Sequence, residues 1–405
     1  MRALLRNRWT GIGVGIGLVL LAGWAWTERE PLLAWYWSRC LAAAAPEEVD
    51  AWNQRLLTLD RARALAAVYR LLDHGSPGAR DNAVQTLVAL ACADSDPRWA
   101  VYLTRLAARD FEQFAPAGQA ACLKLVAALA RQCQNPDRPG SPLPASWTET
   151  AGRMLLQVPP GQPGEGQLAA LHLAWSLMRQ EPPAQDLLGK PFVQASRSWA
   201  QSGLESPSAE VRGAAVRLAA MPELGLLEQV AALAAGPKRD PDPLVRSLAL
   251  AAVVPFEEVL DTETLLPLLH DPDPEVRATC EHALRSRGLS AAHVQLARHM
   301  TDPEASIRAK VPAQVGQFPD LDRGVWWDRL SRDPSPAVRA AVIRAAAEAQ
   351  ALAQLQDRLQ TLAQDDPSPT VRQIAHYYLN RVAPRRRRNL RRLDRQNRPT
   401  GHSPP

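Results

Sequence analysis

The chain has 405 residues, 46% of them hydrophobic and 22% charged, with a formal net charge of +5. That balance excludes an intrinsically disordered chain, and the length exceeds one compact domain, so two domains or one elongated array is expected. Aromatic residues make up only 5%, Ala and Leu recur throughout, and no stretch shows sustained alternation of Val, Ile and Thr, which predicts an all-α fold. The charge is uneven. Residues 381–405 carry nine arginines against Asp394, a local charge of +8 that leaves −3 on the rest. A body this mildly acidic lacks the basic stripe of a nucleic-acid-binding array, so only the tail is a candidate for polyanion contact.

Residues 1–8 form a basic N-terminus through Arg2, Arg6 and Arg8. From Trp9 to Trp26 the chain runs uncharged, a rise of roughly 27 Å as a helix and close to the thickness of a bilayer core. Trp9 at one end and Trp24 with Trp26 at the other sit where interfacial indoles sit, and Glu28, Arg29 and Glu30 stop the run. The segment 9–26 is predicted to be a transmembrane anchor; a signal peptide cut after Ala25 is the other reading. Arginines on the N-terminal side place that end in the cytoplasm, and a body in the periplasm or an equivalent compartment is expected. Gly11/Gly15 and Gly13/Gly17 are two interleaved G-x-x-x-G spacings, which suit a homodimer contact between membrane helices or merely tolerate lipid. They do not form a phosphate loop: a Lys-Ser/Thr ending is missing, and Ile16 stands where a dinucleotide motif needs glycine.

Residues 40–200 predict a helical region with diverged repeats. In "GSPGAR", Ser76 and Pro77 read as helix cap and first helical residue, with Ala79 and Arg80 behind them; "SDPRWAVYLTRLA" repeats an Asp-Pro start at Asp96 and Pro97. The stretches "QNPDRPGSPLP" and "VPPGQPGEG" are too rich in Pro and Gly for helix and predict long loops or a seam.

A clearer repeat occupies residues 201–383. The strings "SPSAEVR", "DPDPLVR", "DPDPEVR", "DPEASIR", "DPSPAVR" and "DPSPTVR" place an apolar residue at Val211, Val245, Val276, Ile307, Val338 and Val371, with gaps of 34, 31, 31, 31 and 33 residues. Such a period marks a helical solenoid. Asp273 is predicted to cap a helix that Pro274 begins, and Glu275 follows where the helix dipole favours a negative charge. A metal or catalytic reading of the paired aspartates fails because the second is Ser or Glu in four of the six copies. A second helix precedes each motif, in "LEQVAALAAG", "TETLLPLLH", "AAHVQLARHM", "GVWWDRLSR" and "LAQLQDRLQTLAQD". One hairpin of this kind cannot bury its apolar faces alone, so neighbours must stack.

Two charged columns run through the copies: Asp240, Asp271, Asp302, Asp333 and Asp366, and Arg212, Arg246, Arg277, Arg308, Arg339 and Arg372. They suit a ladder of charge-assisted hydrogen bonds along the turns; a binding surface for an acidic partner is the alternative. The column D-P-x-P-x-V-R followed by an alanine-rich helix resembles the HEAT family, in particular the short bacterial HEAT-like repeats also seen in phycobilisome lyases. The resemblance covers about residues 200 to 383. It implies an α-solenoid that binds other proteins, and no residue matches a bilin-attachment site.

Little else carries chemistry. Cys40, Cys92, Cys122, Cys133 and Cys280 form neither a zinc pattern nor a disulfide framework and read as small core residues. His293 with His299, and Cys280 with His282, lack ligand spacing, and no cofactor or metal is expected. In "VWWDRL", Trp326 and Trp327 point about 100° apart, so that one could be core and one a partner anchor, with core packing of both favoured. The expected function is a membrane-tethered scaffold for a protein partner, without catalysis; the alternative is an enzyme or lyase-type subunit with its site in residues 40–200. Residues 384–405 are expected to be a disordered tail that binds anionic lipid or nucleic acid through Arg385, Arg386, Arg387, Arg388, Arg391 and Arg392. Deleting them is expected to abolish co-sedimentation with anionic vesicles, and retained binding would end the lipid reading.

Overall fold

The computed structural model describes residues 29–94, 96–133, 143–161, 164–318 and 321–380. The apolar run 9–26 with Trp9, Trp24, Trp26 and the four glycines, the arginines 385–392, and most of the first Pro/Gly-rich stretch lie outside the described residues. Among the described residues the regular elements are α-helices and short 3-10 turns, with no strand. None of these helices is long and apolar enough to cross a membrane. The described chain divides into two compact units, one reaching Ala234 and including Asp240–Val253, the other formed by Ala235–Arg239 and the residues from Val254 onward.

In the first unit, the helices Pro77–Ala91, Pro116–Cys133, Glu165–Met178, Ala209–Ala219 and Pro243–Val253 pack each on the next. A second row, Arg98–Asp110, Ala145–Leu155 and Ala184–Leu204, packs in the same successive way. The rows are rich in Ala and Leu, and small residues let helix axes close up: a Cβ added at Gly203 would stand 2.7 Å from the Ala215 side chain and 3.0 Å from Leu171. Buried polar contacts recur at one interval. Asn82 Nδ2 donates to the Leu41 carbonyl at 3.0 Å, Trp147 Nε1 to Thr104 Oγ1 at 2.6 Å, and Trp199 Nε1 to the Val158 carbonyl at 3.3 Å, pairs 41, 43 and 41 residues apart. Lys124 Nζ reaches Asp81, 43 residues back, and Glu165, 41 ahead. The first unit therefore repeats every 41–43 residues over this stretch, against the 31–34 of the later motif, because its helices are longer. Ala184–Leu204 accommodates its length with a kink at Gly189, φ 64°, just before Pro191.

The second unit alternates shorter helices. Pro274–Ser286 closes at a glycine: Gly288 takes φ +91° and the Leu289 N–H reaches back to the Leu284 carbonyl, completing the last turn. "TETLLPLLH" is not one helix but Thr262–Leu265 followed by the 3-10 turn Leu266–His270, because Pro267 has no N–H to continue the α ladder. The fourth copy also departs from the pattern. Its helix stops after Ala305–Arg308 and resumes at Val311–Val315, interrupted where Pro312 cannot bond the Arg308 carbonyl. Near the described end, Ala340, Ile343, Leu359, Leu362, Ala363, Val371 and Ala375 form one buried cluster that joins Pro336–Glu348, Gln356–Asp365 and a helix over 369–380. Burial of each leucine or isoleucine there is worth roughly 1.5–3 kcal/mol.

Candidate functional site

Each repeated arginine bonds its own turn. Arg212, Arg246, Arg277, Arg308 and Arg339 direct Nη1 at the two carbonyls six and five residues back: Ser206 and Pro207, Asp240 and Pro241, Asp271 and Pro272, Asp302 and Pro303, Asp333 and Pro334, at 2.7–3.1 Å. Arg372 does the same to the Asp366 carbonyl. In the first unit Arg80 Nη1 meets the carbonyls of His74 at 2.9 Å and Gly75 at 3.3 Å, the same two offsets. These turn carbonyls precede a helix and have no backbone partner of their own, so the guanidinium satisfies them.

The aspartates do two jobs. Oδ1 of Asp240, Asp271, Asp302, Asp333 and Asp366 accepts the backbone N–H two residues on, at 2.8–2.9 Å, holding the turn. His74 Nδ1 substitutes for that carboxylate in the early copy, accepting from the Ser76 N–H at 3.1 Å. At least three of the aspartates also receive a forked pair of bonds from the arginine of the preceding copy. Arg212 Nε and Nη2 reach Asp240 at 2.7 and 2.9 Å, Arg308 reaches Asp333 at 2.7 and 3.0 Å, and Arg339 reaches Asp366 at 2.8 and 2.8 Å. Four of the five guanidinium N–H groups are thus committed to one turn and its neighbour. The carboxylate bonds push Arg212, Arg308 and Arg339 above the ordinary arginine range. Burial alone would push the Asp366 carboxyl up, but the Arg339 guanidinium and the Ser368 N–H hold it below the usual range. Its contribution to stability is complete above the ordinary aspartate range and is lost as pH falls through the depressed value.

The columns are not uniform. Arg277 and Asp302, at corresponding positions, form no ion pair; Arg277 bonds only its own turn. Asp271, 2% exposed, lies 3.6 Å from the Arg239 guanidinium. Capping is uneven too: Asp242 and Asp273 accept from the first free helix N–H groups at 2.9–3.3 Å, whereas Ser208, Glu304 and Ser335 occupy the cap position without a side-chain cap bond. Trp327 is buried and donates Nε1 to the Pro312 carbonyl at 3.1 Å, while Trp326 is half-buried.

A second set of basic groups lies on the first unit and was not singled out in the sequence. Arg131, His172 and Arg217 stand on the successive helices Pro116–Cys133, Glu165–Met178 and Ala209–Ala219. Burial, then the neighbouring Arg131 and Arg217, push the His172 imidazole down to about 4, so the ring is neutral at pH 7. Burial and then the like charge of Arg217 lower Arg131. No carboxylate among the described residues pairs with either arginine, and both are exposed. The signal that could have found the cluster is the 41-residue step from Arg131 to His172, equal to the spacing of the buried contacts. Among the described residues no group of three His, Cys, Asp or Glu side chains could hold a metal ion. No family model and no curated protein matches the chain.

Arg308→Ala, which removes a guanidinium only 12% exposed, is expected to cost about 1–3 kcal/mol in urea unfolding. Arg277→Ala should cost less, since it loses carbonyl bonds but no carboxylate. Equal losses would show that the fork to the aspartate adds nothing.

Proposed function

We propose that the chain is an α-solenoid scaffold of HEAT-like repeats, tethered to a membrane through residues 9–26, that binds an acidic segment of a protein partner and carries no catalysis of its own. The observation that carries this reading is the contrast between two sets of arginines. Those of the repeated motif spend their donors on turn carbonyls and aspartates inside the fold, so the repeated pattern specifies architecture. Arg131 and Arg217 lie close enough to His172 to act on its charge, pair with no carboxylate among the described residues, and are both exposed residues. A carboxylate arriving there would offset the repulsion between the two guanidinium groups and receive charge-assisted hydrogen bonds.

Surface composition supports a protein as the partner. The first unit carries guanidinium groups stacked on indoles, Arg55 over Trp52 at 4.3 Å, Arg98 over Trp99 at 5.1 Å and Arg179 over Trp175 at 4.7 Å, and Tyr102 packs edge-on against Trp99. Trp, Tyr and Arg are the residue types that dominate binding energy at interfaces.

Crosslinking in the native host followed by mass spectrometry should recover a partner peptide rich in Asp and Glu attached near Arg131 and Arg217. The paired changes Arg131→Glu and Arg217→Glu should remove that crosslink while leaving the circular dichroism spectrum unchanged; an undiminished crosslink would sink the acidic-partner reading. For the orientation of the body, protease added to intact spheroplasts is expected to digest it. Protection until lysis would place the body in the cytosol.

A further inference from the structure

Cys92 ends the helix Pro77–Ala91 as its C-cap, and Cys133 is the last residue of Pro116–Cys133. These two helices pack directly on one another. The cysteines are 41 residues apart, the same step that brings Asn82 onto the Leu41 carbonyl, Lys124 to Glu165 and Trp199 onto Val158. Repetition therefore sets the two thiols in one column, at matching ends of adjacent helices. Both are half-buried, so a small reagent can reach them. Helix ends suit a cross-link because the backbone there is no longer held by a full ladder of hydrogen bonds and can adjust to disulfide geometry.

The remaining cysteines differ. Cys122 is buried, and burial pushes its thiol well up. Cys280 is buried as well, is pushed up to about 12, and donates to the Leu265 carbonyl at 3.1 Å. Cys40, on the helix Arg29–Ala43, has no cysteine at its matching position, because 41 residues on stands Asp81.

We infer that Cys92 and Cys133 are a redox site: a dithiol that closes to an intramolecular disulfide by exchange with a disulfide donor, and so staples two neighbouring repeats. The hydrogen bond from the Cys92 thiol lowers the Cys133 thiol, which makes Cys133 the attacking group. Its thiolate attacks one sulfur of the donor, the donor S–S bond breaks, and one donor thiolate leaves. The Cys92 thiolate then attacks Cys133 Sγ in the mixed disulfide, the Cys92–Cys133 bond forms, and the second donor thiolate leaves. Two electrons pass from the pair to the donor, and the two protons shed by the cysteines end on the donor thiols. This inference does not depend on the partner proposed above.

The test uses the full chain in detergent, purified with reductant, desalted without oxygen and then exposed to oxidised glutathione as the donor. Thiol titration is expected to fall from five groups to three, the mass to drop by about 2 Da with no glutathione retained, and peptide mapping to find Cys92 joined to Cys133. Five thiols remaining, or glutathione held on Cys133 in the wild type with no joined peptide, would overturn the inference. In Cys92→Ser the attacked donor has no resolving thiol, so a glutathione adduct should persist on Cys133; an adduct on no residue, or on Cys122 or Cys280 in preference, would overturn the assigned order of attack. Should that variant fail to fold, the wild-type mapping decides alone.

Discussion

A guanidinium buried at the mouth of a turn has to satisfy five N–H groups where water does not reach, and the turn itself presents carbonyls with no backbone donor. Arg212, Arg308 and Arg339 solve both problems together, giving Nη1 to the turn six and five residues back and the Nε/Nη2 fork to the aspartate of the following copy. In these three pairs each half supports the other. An arginine without its carboxylate would leave a charge in a poorly hydrated place, and an aspartate such as Asp366, 5% exposed, would be driven towards protonation without its arginine. Lysine could not replace it, because a single ammonium cannot spread its donors over two carbonyls and two carboxylate oxygens in a plane. The prolines serve the same end: they fix the turn so that both carbonyls face one guanidinium.

How much of this was legible in the sequence depends on how far apart in the chain the interacting groups lie. The all-helical class was legible, since it follows from local pattern. The motif columns could be lined up by eye, and the 25–28 residues between each arginine and its aspartate follow from the period. The acceptors at six and five residues back were not anticipated, because carbonyls leave no trace in side-chain identity. Arg80 uses them although His74 and Gly75 stand where later copies have Asp and Pro, so the geometry outlasts the motif. Residues 40–200 hid their 41–43-residue step because its markers are single contacts of different chemistry, an asparagine on a carbonyl, an indole on a threonine, a lysine between two acids. The three basic groups at Arg131, His172 and Arg217 come together only through the stacking of three helices, which no local window contains.

Electrostatics separates two kinds of surface in the molecule. In the motif, positive and negative groups are matched within hydrogen-bond distance, so their field is short-ranged and insensitive to salt. Around His172 like charges are left facing one another, and burial adds to the cost of a further proton. The fold thus neutralises one set of arginines within hydrogen-bond distance and leaves Arg131 and Arg217 without a carboxylate partner among the described residues.

The irregular fourth copy bears on how the second unit answers force. Arg277 makes no fork to Asp302, Glu304 gives no side-chain cap, Ile307 is only half-buried where its counterparts are buried, and Pro312 splits the helix into Ala305–Arg308 and Val311–Val315. In a stack whose members hold chiefly to their neighbours, elements act as springs in series, and extension gathers in the softest of them. Tension along the second unit would therefore be taken up first between Asp302 and Val315. The stiffer copies on either side, including the cluster around Ile343, would keep their packing while that segment lengthens.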